Sequence, residues 1–222
     1  MWPSLLVQSQ QGKLPNSWSA DGRFLLYNSF DPKTATVDLW VLPMSGANAS
    51  PARSASATAG SLNEGRSHQE LDGDRKPFVF LQTNFNERKG QFSPDSHWVA
   101  YQSNESGREE IYVRPFPGPG GQWQVSTEGG IWVRWRRDGK ELYYIAPDNK
   151  LMAVPITTQG ATLEPGTPAA LFQTRIVGGG TDNGFAQEYD VTRDGRFLIN
   201  ITAGDAITSP ITLLLNWKPP AK

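Results

Sequence analysis

Short runs of alternating side chains recur along the chain, and the clearest is "HWVAYQS". Successive residues of a strand point to opposite faces, so Trp98 and Ala100 share one face while Val99 and Tyr101 share the other. Both faces are apolar, which is typical of a strand packed on two sides. A polar break with Gly107 follows, and a second alternating run, "EEIYVRPF", comes next. The pattern predicts an antiparallel hairpin.

The same hairpin is predicted three more times. The strand pairs are Gly22–Asn28 with Asp38–Leu42, Lys140–Ala146 with Leu151–Ile156, and Arg196–Ile201 with Ile211–Trp217. Each first strand follows a tight turn in which an aspartate accepts backbone hydrogen bonds and a glycine takes the left-handed conformation. These structural turn residues are Asp21, Gly22, Asp95, Asp138, Gly139, Asp194 and Gly195. A looser fourth strand, such as "QWQVS" or "ALFQT", completes the unit.

The spacing of the turns gives the length of the repeat. Asp95 and Asp138 are 43 residues apart, whereas Asp21 and Asp95 are 74 apart. The longer gap contains residues 45–70, a low-complexity insertion that is predicted to be disordered because it has too few apolar side chains to bury. Units of roughly 40–45 residues with four strands are typical of propeller blades. The sequence therefore predicts an all-β fold, one β-propeller region over residues 1–222 with about four blades.

Composition excludes several classes of function. The net charge is −1, which gives no field to attract nucleic acid. The chain has no cysteine, so disulfides and thiolate chemistry are excluded. No apolar run reaches the roughly 18 residues that a membrane-spanning helix requires. The first residues lack the pattern of a signal peptide, so the sequence itself leaves the compartment open.

Residues Phe92–Tyr101 resemble the PD40, or WD40-like, repeat of TolB-type β-propellers, whose hallmark is S-P-D-G before a strand. The phrases "DLWVLP", "RWRRDGKELYYIAPDNKLMAVP" and "PITLLLNW" resemble the propeller regions that follow serine/threonine kinase domains in bacterial signalling proteins. The pair Ser96-His97 and residue Ala20 depart from the repeat at its turns. No kinase motif such as H-R-D or D-F-G is present in this chain.

The resemblance implies a propeller of the six-bladed type, of which this chain carries four blades as the C-terminal part of a larger protein. It also implies a parent protein whose propeller lies outside the cytoplasm. A strand-like segment at Ser4–Ser9 and a final blade without a fourth strand then lack partners. We expect an open arc that self-associates through these unpaired blades. Trp40, Trp98 and Trp217 are predicted to be buried between blades.

One stretch, "GGIWVRWRRDGK", indicates a binding surface. Strict alternation would point Trp132, Arg134 and Arg136 in one direction, giving an aromatic and cationic surface at the channel mouth. Such a surface suits a protein, an acidic peptide or a small glycan. The alternative is that Trp132 packs between blades while the two arginines pair with neighbouring acids.

The sequence favours a non-catalytic binding or sensor module, without a cofactor or metal, over an enzyme. No hydrolase motif occurs, and the predicted innermost strands offer Trp18, Gln91, Arg134 and Tyr189 rather than paired carboxylates. Two alternatives stay open. One is a glycosidase-like or lyase-like enzyme acting at the central axis, and the other is a TolB-like periplasmic translocation protein.

Overall fold

The structure is a computed structural model that describes residues 9, 11–44, 76–182 and 187–201. Within these ranges every regular element is a β-strand, and the strands form four antiparallel sheets. The insertion at residues 45–70 and the strand at Ile211–Trp217 lie outside the described residues, as does all of Ser4–Ser9 except its last residue. Predictions about those segments, and about closure of the ring, stay predictions.

The first sheet has the order β1-β2-β3-β4. Its strands are β1 (Lys13–Trp18), β2 (Phe24–Asp31), β3 (Thr36–Pro43) and β4 (Phe78–Leu81). The β2–β3 hairpin runs without a register shift along its whole length. Both strands are largely buried, as expected for the middle of a sheet packed on two faces.

The second sheet repeats this arrangement in the order β5-β6-β7-β8. Its strands are β5 (Glu87–Phe92), β6 (Trp98–Ser103), β7 (Glu110–Pro115) and β8 (Trp123–Gln124). Every residue of β6 is buried. The hairpin predicted from the alternation is therefore confirmed.

The third sheet has five strands and the fourth has two. They are β9 (Ile131–Trp135), β10 (Glu141–Ile145), β11 (Lys150–Gln159), β12 (Thr162–Pro165), β13 (Ala169–Gln173), β14 (Tyr189–Val191) and β15 (Phe197–Ile199). The long strand β11 pairs with β10 through its first half, and it pairs with β13 and β12 at successive positions on its other edge.

A similar turn connects the first two strands of each sheet. In three turns an aspartate Oδ1 accepts the backbone N–H two residues later, at 3.0–3.1 Å for Asp21, Asp95 and Asp138. In all four turns the residue after the aspartate takes a left-handed φ, with values of 70°, 60°, 73° and 80° at Gly22, Ser96, Gly139 and Gly195. Glycine adopts this conformation at no steric cost, whereas serine does not.

Apolar side chains between neighbouring sheets form three cores, one for each junction. Tyr101 and Leu26 are fully buried in the core between the first and second sheets. Val133 and Leu142 help to fill the next junction, and Tyr189 joins the third and fourth sheets. Among the described sheets, the second and third each contribute to two of these cores, so neither completes its core without both neighbours.

The tryptophan predictions hold in part. Trp98 is buried at the start of β6, and its ring meets that of Trp123 edge to face at 5.5 Å. Trp40 was predicted to be buried, but it is only half-buried and lies outside the three cores. Its ring lies 5.9 Å from the Lys13 ammonium instead. Trp217 lies outside the described residues.

Candidate functional site

The first strands of the four sheets lie side by side. Strand β1 contacts β5, β5 contacts β9, and β9 contacts β14. Hydrogen bonds cross these junctions: the Phe92 backbone N–H donates to Ser17 Oγ at 3.2 Å, and the Trp135 indole N–H donates to the Gln91 carbonyl at 3.2 Å. These four strands therefore form the inner, axial edge of the arrangement.

A β-bulge interrupts the inner strands. The register shifts between Arg88 and Gln91 in β5, and a similar shift occurs in β9. Lys89 and Trp132 have φ values of 56° and 58° at these points. A bulge breaks the strict alternation of side chains, so Trp132 and Arg134 do not share a face.

The bulge places one of the three predicted ligand-binding residues in the interior. Trp132 is fully buried, its backbone N–H donates to Gln102 Oε1 at 3.1 Å, and its indole N–H donates to Asp182 Oδ1 at 3.3 Å. Trp132 thus belongs to the interior and offers no surface to a ligand.

Arg136 makes its ion pairs close to its own turn. Its guanidinium pairs with Asp138 at 3.5 Å and with Glu141 at 3.1 Å. In the first two sheets the equivalent position is a serine, Ser19 or Ser93, whose hydroxyl donates to the turn aspartate. Arg136 therefore holds the turn of the third sheet by an ion pair where the other sheets use a hydroxyl.

Arg134 does line a cavity, which we call the axial cleft. The cleft has a volume of about 540 Å³ and lies where the four inner strands end. Among its lining residues are Trp18, Gln91, Arg134, Arg137, Asp190 and Arg193. Each of the four sheets contributes to this set, so the cleft exists only in the assembled fold.

The charge of the cleft favours an anion. Three of the lining residues are arginines and one is an aspartate. The Arg134 Nε lies 3.2 Å from Asp190 Oδ1, but that carboxylate has a side chain 72% exposed while Arg134 is 17% exposed. Solvent screens the exposed Arg137 and Arg193 as well as Asp190, so the excess of positive charge comes from three arginines facing one aspartate.

One nitrogen of Arg134 is enclosed beside the cleft. Its Nη1 is buried and has no hydrogen-bond partner among the residues that the structure describes. Burial lowers the pKa of the guanidinium, and the neighbouring Asp190 carboxylate opposes this effect. A buried donor without an acceptor costs about 1–3 kcal/mol.

Further positive charge lies deeper in the axis. The Lys89 ammonium is buried, and its burial lowers the pKa of this group. The negative charge of Asp182 raises the pKa of Lys89, whereas the positive charge of Arg134 lowers it. The Asp182 carboxylate lies 3.9 Å from Lys89 Nζ and 3.6 Å from Arg88 Nε. It accepts a hydrogen bond from Gln102 Nε2 at 2.6 Å and thereby ties the segment after β13 to the second sheet.

Aromatic surface accompanies the arginines. Trp18 is 52% exposed at the end of β1, and the partly buried Trp135 is fixed by its indole hydrogen bond. Sequence reasoning placed Trp18 and Gln91 on the inner strands but gave them no binding role. It missed Arg137 and Arg193 altogether. Both arginines directly precede a turn aspartate, and an alignment of the four turns would have placed them at the same end of the axis.

Within the described ranges no group of three histidine or acidic residues is arranged to hold a metal ion. No helix there is long and apolar enough to span a membrane.

Comparison with known proteins supports the fold. No protein-family model and no curated protein matches the sequence. Among solved structures, TolB from Acinetobacter baumannii is similar, with a TM-score of 0.52 and 14% identity over 87% of this chain and 39% of that chain. A protein described as TolB from Agrobacterium tumefaciens gives a TM-score of 0.46 and 11% identity over 72% of this chain and 50% of that chain.

A third similar structure is the β-propeller domain of the Trilobed protease from Pyrococcus furiosus, with a TM-score of 0.38 and 9% identity over 73% of this chain and 58% of that chain. The chain thus spans less than two thirds of the length of each of these three proteins. Its four antiparallel sheets and the match to Acinetobacter TolB show a TolB-like β-propeller fold.

Proposed function

We propose that this propeller region is a non-catalytic binding module whose axial cleft takes an acidic peptide. The observation that carries the proposal is the lining of the cleft, which brings three arginines together with one aspartate. Clusters of arginine recognise acidic motifs because the guanidinium binds a carboxylate through two parallel hydrogen bonds. The exposed Trp18 ring adds apolar surface beside these charges.

A binding role is favoured over catalysis at this cleft. Hydrolysis of a glycosidic bond by the usual mechanism requires two carboxylates on opposite sides of the bond. Among the described lining residues the only carboxylate is that of Asp190, which is mostly exposed and pairs with Arg134. Binding requires only the positive potential and the shape of the cleft.

Two settings for this module follow from its likeness to other proteins. The first is a sensor region of a bacterial serine/threonine kinase, in which the bound peptide regulates the kinase. It is supported by the resemblance of the repeats to such regions. The second is a translocation protein similar to TolB, which is supported by the shared propeller fold. A kinase domain encoded in the same reading frame would favour the first setting.

Titration calorimetry with a synthetic peptide tests the binding proposal. The probe is a hexapeptide containing four glutamates, with both ends blocked, and the matching glutamine peptide is the control ligand. Arg134→Met should weaken binding at least tenfold, since the pairing of a charged group with its ligand is lost. Arg23→Met is the control variant, because Arg23 is an exposed arginine of the first turn outside the cleft.

Binding should also weaken as salt is raised, because the contacts are ionic. Equal affinity for the glutamate and glutamine peptides, or equal losses in the two variants, would contradict the proposal. Circular dichroism checks that both variants are folded.

A further inference from the structure

A second cavity opens on the same face, between the second and third sheets. It has a volume of about 550 Å³, and we call it the inter-sheet groove. The turn at Pro94 and Asp95 forms one side, and the turn at Asp138 forms the other. Ile156 and Thr158 of β11 line it farther from the axis.

The groove exists because these two turns are not joined. Between the first and second sheets the Ala20 backbone N–H donates to Ser96 Oγ at 2.8 Å, which closes that junction. Among the described residues no hydrogen bond links the turns of the second and third sheets. Gly139 has no side chain, and even a Cβ at this position would lie 3.9 Å from Pro94 Cδ, so the two turns do not interlock there.

The groove is continuous with the axial cleft. Ser93, Pro94 and Trp135 line both cavities. The Trp135 ring is fixed by the hydrogen bond of its indole N–H to the Gln91 carbonyl. A peptide bound in the cleft can therefore continue into the groove. It would pass over a rigid, apolar ridge formed by Pro94 and Trp135.

The chemistry of the groove differs from that of the cleft. Trp98, Trp135 and Ile156 give it an apolar floor. Its carboxylates, Asp95 and Asp138, already accept hydrogen bonds within their own turns and outnumber its one cation, Lys140, so the groove does not favour a second acidic group. The groove thus favours an apolar side chain, whereas the cleft favours an acid.

We infer that the ligand is an extended peptide that places an acidic residue in the axial cleft and an apolar residue in the inter-sheet groove. This inference rests on the proposed function and adds a second recognition point to it. A peptide can carry both kinds of side chain on one extended backbone, with a spacing set by the ridge between the cavities. The two points together would make the interaction selective for one spacing.

A peptide series tests the inference by fluorescence anisotropy. Each fluorescein-labelled probe carries a pair of glutamates joined to a leucine by one, two, three or four glycines. The reference peptides replace the leucine with serine. At one spacing the leucine peptide should bind at least fivefold more tightly than its serine reference, because burial of a leucine side chain adds to the ionic contact.

Two variants test whether the gain in affinity from leucine arises in the inter-sheet groove. Thr158→Trp should fill the groove and abolish the difference between leucine and serine while leaving the affinity of the serine peptides unchanged. Thr162→Trp is the matched control, because Thr162 is an exposed threonine of β12 outside the groove. Thermal melts monitored by circular dichroism check that both variants are folded.

The outcomes separate the two claims. If the serine peptides bind and leucine adds nothing at any spacing, or if its gain survives Thr158→Trp, the inference about the groove is overturned and the axial cleft stands. If the leucine gain appears but Arg134→Met weakens no peptide, the acid does not occupy the cleft and the two-point arrangement is overturned. If no acidic peptide binds, the proposed function itself fails.

Discussion

At the residue scale, a buried pair of acids at the junction of the first two sheets carries the clearest electrostatic cost. Glu87 and Asp38 are both buried, and one oxygen of each, Oε2 and Oδ1, has no hydrogen-bond partner in the part of the chain that the structure describes. Burial raises the pKa of Glu87 from 4.5 to about 7, and the nearby charge of Asp38 adds to the effect. Burial likewise raises the pKa of Asp38. The native fold therefore favours protonated carboxyls here.

This pair predicts that the protein is more stable at pH 5 than at pH 8. Below pH 4.5 Glu87 is protonated in both states. As pH rises from 4.5 to about 7 the unfolded chain releases its proton while the folded chain keeps it, so stability falls. Above pH 7 the loss is complete, at up to about 3 kcal/mol, because each pKa unit corresponds to about 1.4 kcal/mol.

The matching variant is Glu87→Gln, which should be more stable than the parent at pH 8 and should flatten the dependence on pH. Urea denaturation at a series of pH values measures it. Glu128→Gln, at an exposed glutamate, should leave the profile unchanged. Parallel profiles for the Glu87→Gln protein and the parent would show that Glu87 ionises normally in the fold.

At the element scale, the repeated strand–turn–strand unit accounts for most of the architecture. A hydroxyl two residues before the turn aspartate, as at Ser19 and Ser93, donates to that aspartate and accepts the N–H at the start of the next strand. The turn thus fixes where the second strand begins. In the second sheet this places Trp98 in the core at the first position of β6.

Trp98→Ala should cost about 3–5 kcal/mol of unfolding free energy, because it removes a fully packed aromatic side chain and leaves a cavity. Trp40→Ala is the comparison, since Trp40 is half-buried and belongs to none of the three cores. Its cost should be at least about 1.5 kcal/mol smaller, because it leaves less buried volume empty. Chemical denaturation of both variants measures the difference, and equal losses would place Trp40 in the core.

At the scale of the whole molecule, the sheets are joined by the three apolar cores and by polar contacts along the axis. Asp182 makes several of the latter. Its carboxylate accepts hydrogen bonds from Gln102 of the second sheet and Trp132 of the third, and it lies near the cations Arg88 and Lys89. One buried carboxylate therefore links two sheets with the segment that leads toward the fourth.

Asp182→Ala should destabilise the protein by about 3–5 kcal/mol, since removal of one partner leaves buried charge without its compensation. Asp182→Asn should cost less because the single amide oxygen can still accept from one of the two donors, Gln102 or Trp132, which bind different oxygens of the carboxylate. Differential scanning calorimetry of both variants tests the order. If alanine and asparagine were equally tolerated, the contacts along the axis would be dispensable for stability.

The sequence by itself determined the kind of element, its repeat and its turns. Alternation over "HWVAYQS" and the recurring aspartate turns required only local information, since strand periodicity and turn chemistry depend on neighbouring residues. The repeat length then led to four stacked sheets and a propeller. Trp98 was placed correctly for the same reason, because its strand is apolar on both faces.

Only the tertiary structure decided the site. The bulge at Trp132 depends on pairing with β10 and on a hydrogen bond from Trp132 to Gln102 of another sheet, so strict alternation failed there. Among the described residues the Nη1 of Arg134 has no hydrogen-bond partner, and Arg137 and Arg193 line the same cleft as Arg134. Both features arise because residues distant in sequence meet where the inner strands end. The local sequence pattern determines where strands and turns form. Burial and charge at the axis depend on how the sheets pack against one another.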